Sequence, residues 1–226
     1  MNEITNGFIK AFKLIISLEP ELYQIIIRSL FVSISAVMIA SLFCVPLGIW
    51  MGLKNFRGKQ MVSRILYATM STPSVVIGLI VLLLFSRKGP LGFAQLLYTP
   101  TVMIIAQTLL VSPLILGLTY NTIKQRGKQV ENEGLLLGAN SFQIIILIIR
   151  EFKIDLLVHL IAGFSRGISE VGAVMIVGGN IKGTTRVMTT SIALMNSMGE
   201  YEMAIALGVV LLFISLLVNS IVYREG

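Results

Sequence analysis

Twenty-five consecutive residues, Ser29 to Leu53, carry no charged side chain. As an α-helix that run is roughly 37 Å long, against a hydrocarbon core of about 30 Å. It is therefore long enough to cross a bilayer with some tilt. Pro46 and Gly48 near its end predict a local kink. Three further runs behave alike. Ile65 to Phe85 is uncharged and contains Pro73 and Gly78. Leu91 to Ile123 is uncharged, its best membrane portion being Thr101 to Tyr120, with a kink expected at Pro113. Met203 to Tyr223 is the last clean span. Ile154 to Gly178 is apolar but broken by Asp155, His159, Arg166 and Glu170. It is the fourth span of five, with a polar side facing protein or water.

The composition fits that reading. Of the 226 residues 55% are hydrophobic and 13% charged, where a soluble domain carries about 25% charged residues. A soluble fold would leave large apolar patches exposed. The net charge of +7 does not point to nucleic acid, because the cations sit in short segments between apolar runs. Lys54, Arg57, Lys59, Arg64, Lys124, Arg126, Lys128, Arg150 and Lys153 fall on one side of the five-span layout, followed by Arg224. Lys10, Lys13, Arg28, Arg87, Lys88, Lys182 and Arg186 fall on the other. The excess predicts an outside N-terminus and a cytoplasmic C-terminus. Residues 1–22 read as an interfacial segment rather than a cleavable signal, because Ile4, Phe8, Phe12, Ile15 and Ile16 recur at helical spacing among Glu3, Lys10 and Lys13. Residues 23–222 form the membrane domain, and 223–226 a short cytoplasmic tail.

The segment from Asn121 to Lys153 is the longest polar interruption. Val130 to Leu137 is amphipathic, with Glu131 and Glu133 early, as suits a helix N-terminus. Gly138 is placed to end that helix, and Asn140-Ser141 to cap the next. A short helix, a sharp turn and a second helix leading back to the membrane follow. A helix presented this way fits a groove on a partner protein.

This stretch resembles the cytoplasmic coupling loop of type I ABC importer permeases, whose pattern is Glu-Ala-Ala, three residues, Gly, nine residues, then Ile-x-Leu-Pro. Asn132-Glu133-Gly134 stands at the acidic-small start, Gly138 at the glycine with Ala139 after it, and Ile148 at the isoleucine. Arg150 and Glu151 replace the usual Leu-Pro. Phe164 to Ala173 and Val177 to Arg186 are similar to molybdate- and tungstate-type permeases, most of all the tungstate permeases. The resemblance spans about Tyr23 to Val222. It implies an all-α, MetI-like bundle of five transmembrane helices with an N-terminal interfacial helix and a cytoplasmic coupling helix. It further implies a homodimer, two ATP-binding cassette ATPase subunits beneath it, an extracytoplasmic oxyanion-binding protein, and no cofactor on this chain, ATP and magnesium residing on the ATPase.

On this reading Glu131, Glu133, Gly138, Ala139 and Ile148 couple the chain to the ATPase, the two carboxylates facing the cytoplasm. Arg166, Ser169, Glu170, Asn180, Thr184 and Thr185 are candidates for the translocation path or gate. Arg166 and Glu170 share a helix face four residues apart. A charge at the bilayer centre costs about 2.5–3.5 kcal/mol on insertion scales, so neither faces lipid. They either stitch helices together or, in Arg166, balance a dianion. Gly178, Gly179 and Gly183 permit positive φ, so that backbone N–H groups there can receive an oxyanion. Lys182 and Arg186 are candidates for docking the binding protein.

Other residue classes point to no chemistry of their own. Cys44 is a packing residue. His159 alone builds no metal site, and Asp155 is its expected hydrogen-bond partner. Met188, Met195, Met198 and Met203 read as packing rather than soft-metal ligands. No phosphate-binding loop, zinc-protease motif or nucleophile elbow is present, so the chain is not expected to be an enzyme. The alternatives are a molybdate, sulfate, phosphate or amino-acid permease of the same type, a stand-alone secondary transporter or channel, and a membrane enzyme using Glu170 or Asp155.

Overall fold

The computed structural model describes residue 9 and residues 11–223, with side chains as far as residue 220. The described residues are predominantly helical and contain no strand. A helical turn at 11–16 precedes α1, Pro20–Leu53. Next come α2, Lys59–Met70, α3, Ser74–Phe85, and α4, Pro100–Thr122. A π-turn, Ile123–Gly127, carries α4 directly into α5, Lys128–Leu136. The chain continues as α6, Ser141–Glu151, α7, Lys153–Ile168, α8, Gly172–Gly178, α9, Met188–Met198, and α10, Tyr201–Tyr223.

Three helical stretches are long and apolar enough to cross a membrane: α1, the continuous Pro100–Leu136 rod, and α10. Two broken pairs raise that number to five when each counts as one span, α2 with α3 and α7 with α8. The expected second span is thus two helices that meet at 97°. Pro73 causes the break, since a residue preceding proline is pushed out of the α region. At Pro46 and Pro113 the chain does not break, and α1 and α4 continue through them. α1 also starts nine residues before the uncharged run, because its charged first turns find partners: Glu21 bonds Lys182 and Arg186, and Arg28 bonds the Gly183 carbonyl.

The bundle is built around α1 packed on α4, where Val37, Ala40 and Cys44 meet Val111 and Ile115. Gly48 and Gly52 bring the two backbones close. A Cβ at Gly48 would lie 2.9 Å from Thr119 Cβ, and one at Gly52 would lie 2.6 Å from Ile123 Cγ2. Small residues four apart are the usual device for close helix approach in membranes. Another face of α1 leaves Phe31, Ile34, Met38 and Leu42 exposed, at the spacing of one helix stripe. Such a surface suits lipid or a second membrane helix. Ala11 is buried with Leu22, Ile25, Met188 and Leu207, so part of the expected interfacial segment belongs to the core, while Phe12 and Ile16 stay exposed. Ile4, Phe8 and Lys10, and Arg224 to Gly226 of the expected tail, lie outside the described residues.

Candidate functional site

The turn between α5 and α6 is coded locally. Gly138 has φ +80°, a conformation glycine adopts without steric cost. The Gly138 N–H donates to the Leu135 carbonyl and the Ala139 N–H to the Gly134 carbonyl, the paired bonds of a Schellman stop. Asn140 then caps α6. Its Oδ1 accepts from the Gln143 N–H at 2.9 Å, and Gln143 Oε1 accepts from the Asn140 N–H at 2.8 Å, which closes a reciprocal capping box. Gly134 is buried where α6 crosses α5, and a Cβ there would sit 3.2 Å from Leu147. This explains why the third position of the acidic-small start holds a small residue.

The residues expected to couple divide into two groups. Glu133 is exposed, and its carboxylate accepts from Gln129 on its own helix. Glu131 does not face solvent as expected. It is 4% exposed, with its carboxylate 2.6 Å from Lys128 Nζ and 3.6 Å from Lys54 Nζ. It ties α5 to the end of α1. Ile148 is fully buried with Ile49, Leu53, Ile123 and Ile144, so it anchors α6 to α1. Ala139 packs beside that cluster. The tip itself is made by residues that the sequence pattern had not singled out. Leu136 and Leu137 are 87% and 88% exposed, and Leu135 and Phe142 are exposed beside them. Three successive leucines at the end of a two-turn helix cannot all face inward, and that signal was available in the sequence.

A second constellation lies at the α7–α8 break. Arg166 Nη1 donates to Glu170 Oε2 at 2.9 Å, and the Ala173 N–H donates to Glu170 Oε1 at 3.1 Å. Thr189 Oγ1 donates to the Glu170 carbonyl at 2.6 Å. Glu170 therefore ties α7 to the start of α8 through its buried carboxylate and holds α9 through its backbone carbonyl, which fits the stitching role better than an open anion receptor. Arg166 keeps 40% of its side chain exposed. Ser169 is exposed, and its hydroxyl donates to the Ser165 carbonyl. Facing the break from α4 is Gln107, 3% exposed, whose Nε2 donates to the Gly167 carbonyl at 3.0 Å. It is the only carboxamide between Thr101 and Tyr120, which was the sequence signal for it.

The 179–187 loop closes on itself. Asn180, at φ +51°, exchanges two bonds with Thr190. Thr185 is buried, accepts from the Ile181 N–H and donates to the Gly178 carbonyl. The N–H groups of Thr184, Thr185 and Arg186 all reach the Ile181 carbonyl. Gly179 and Gly183 do take positive φ, but the Gly179 N–H donates to the Met175 carbonyl and those of Thr184, Thr185 and Arg186 are used within the loop. Thr184 and Lys182 are exposed. Lys182 and Arg186 are not free surface cations: both bond the Glu21 carboxylate, at 2.6 and 3.3 Å.

His159 pairs differently from the expectation. Its two ring nitrogens lie 3.3 Å from Thr119 Oγ1 and 3.2 Å from Thr122 Oγ1 on α4. Asp155 is instead bonded to Arg126, one turn below on the adjoining π-turn. Met188 and Met195 are buried, and Met198 is exposed. Among the described residues no three His, Cys, Asp or Glu side chains cluster as metal ligands would.

Residues 44–224 match the family described as binding-protein-dependent transport system inner membrane component. The chain belongs to that family. The permease is 58% identical to the tungstate uptake system permease protein TupB of Peptoclostridium acidaminophilum, over 99% of this chain and 98% of the relative. It is 38% identical to a probable anion ABC transporter permease protein of Haloferax volcanii, over 85% of each chain. It is 32% identical to the tungstate uptake system permease protein of Campylobacter jejuni, over 99% of this chain and 94% of that one. The permease is thus a multi-pass, all-α membrane protein and the non-catalytic component of an ABC uptake system. It works with an ATPase and a substrate-binding protein.

Proposed function

We propose that this permease imports tungstate. The observation that carries the reading is the 58% identity, along nearly the whole of both chains, to a tungstate uptake permease. Two copies form the path, two ATPase subunits sit beneath them, and an extracytoplasmic oxyanion-binding protein delivers the cargo. ATP and magnesium act on the ATPase. The N-terminus lies outside and the C-terminus in the cytoplasm, in keeping with the cation excess around the α5–α6 hairpin.

The cycle is alternating access. ATP binding draws the ATPases together, and each pushes a hairpin at about residues 131–142. Leu136 and Leu137 provide its apolar contact and Glu133 its charge. Buried Ile148 and the Glu131 ion pairs carry the displacement into α1, and the π-turn carries it into α4. The cavity between the copies opens outward, takes the anion, and resets inward on hydrolysis. Lys182 and Arg186 serve the binding protein first and the anion briefly. Tight retention is not expected, because a conduit must also release. The test is competitive uptake of labelled tungstate by the reconstituted complex. Unlabelled tungstate should compete best, molybdate next and sulfate least. Preference for sulfate or an amino acid, or uptake without the ATPase, would replace this reading by one of its alternatives.

A further inference from the structure

At the root of the hairpin a cavity of about 510 Å³ opens between the end of α1, the start of α2 and the end of α4. Its polar lining includes Asn55, Lys59, Gln60, Lys124 and Lys128, with Tyr120 among the walls. The ammonium groups of Lys59 and Lys124 both attend the same Tyr120 ring, each 5.7 Å from its centroid. Lys128 and neighbouring Lys54 share the single carboxylate of Glu131. Lys59, Lys124 and Lys128 thus converge on the cavity with Lys54 beside it, and of these only Lys128 and Lys54 meet a carboxylate among the described residues, while Lys59 also donates to the Gly52 and Lys54 carbonyls. Lys124 has no salt bridge among the described residues.

Gathering like charges costs free energy, and an anion entering between them removes that cost. The Asn55 and Gln60 carboxamides add neutral donors. The surroundings indicate how such an anion is presented. Trp50 stacks on Phe56 with ring centroids 5.1 Å apart, and Trp50 is half-exposed, as aromatic residues at a membrane–water boundary are. Along α2, Met61, Val62 and Ile65 are exposed and offer an apolar track for acyl chains. Basic pockets between membrane helices suit lipid phosphates.

We propose that this cavity is a site for a phosphate-class tetrahedral oxyanion, supplied by an anionic phospholipid headgroup or by a free inorganic ion. It does not rest on the transported solute, because the lysines converge whatever the chain moves. The test is thermal unfolding of the full chain in neutral detergent, titrated separately with phosphatidylglycerol, phosphatidylcholine and sodium phosphate. Lys124→Gln is the informative variant, since Lys124 is exposed and pairs with no carboxylate among the described residues. Phosphatidylglycerol should raise the melting temperature and phosphatidylcholine should not. Lys124→Gln should weaken the half-saturating response roughly fivefold, while Lys124→Arg keeps it. A Lys124-dependent response to sodium phosphate instead would identify the free ion as the source. Equal responses to the two lipids with none to phosphate, no response to any ligand, or unchanged responses in Lys124→Gln would overturn the site.

Discussion

The α5–α6 hairpin and the 179–187 loop sit at opposite ends of α1, separated by roughly 48 Å of helix, and they are held in contrasting ways. The hairpin is self-contained. Gly138, Asn140 and Gln143 stop one helix and start the next within six residues, and an apolar tip is left exposed. The loop depends on distant partners. Glu21 and Arg28 reach it from more than 150 positions away in the chain. One end is a self-capped handle with an exposed apolar tip. The other is a clasp whose charges are already spoken for, so any partner that uses Lys182 or Arg186 must first compete with Glu21.

The sharpest way to break this contrast is at the tip. Leu136→Asp combined with Leu137→Asp changes two side chains that touch little of their own chain, so the permease should fold normally. ATP-driven uptake should nevertheless fall by at least about tenfold, as for loss of a contact centre. Uptake at the wild-type rate would remove the tip from the coupling scheme. At the other end, Glu21→Gln leaves Arg186, only 13% exposed, without its charged partner. A cost of about 2 kcal/mol in stability is expected, typical of a hydrogen bond between charged groups. An unchanged unfolding midpoint would show the clasp to be dispensable. The smallest effect is expected from Asn140→Ala, about 1 kcal/mol for a lost cap. It should be visible as faster amide exchange in the first turn of α6 and nowhere in the loop.

The same contrast separates what could be read in the sequence from what could not. The stop at Gly138, the cap at Asn140 and the Arg166–Glu170 pairing are local or periodic features, and each was legible, whereas Ile148, expected to couple to the ATPase, was not read as the buried anchor it forms. Pro73 was visible, but its consequence was not. A proline in an apolar run permits a kink or a full break, and only the packing of α3 against α4 and α8 selects 97°. Pairings across the chain were hidden altogether. Asp155 and His159 are one helical turn apart, yet Arg126 takes the first and Thr119 and Thr122 the second, because α4 and its π-turn place these groups within hydrogen-bonding distance of each. Glu131 reads as a solvated helix start until α1 delivers Lys54 beside it.

The π-turn at Ile123–Gly127 has a consequence for how the handle is aimed. Each residue in a helix turns the following ones by about 100°, so the widened turn fixes the bearing of the leucine tip relative to the membrane rod. Removing one residue there would leave rod, hairpin and caps intact but swing the tip through more than a quarter of a revolution. The piece would be sound in every part and pointed at the wrong neighbour.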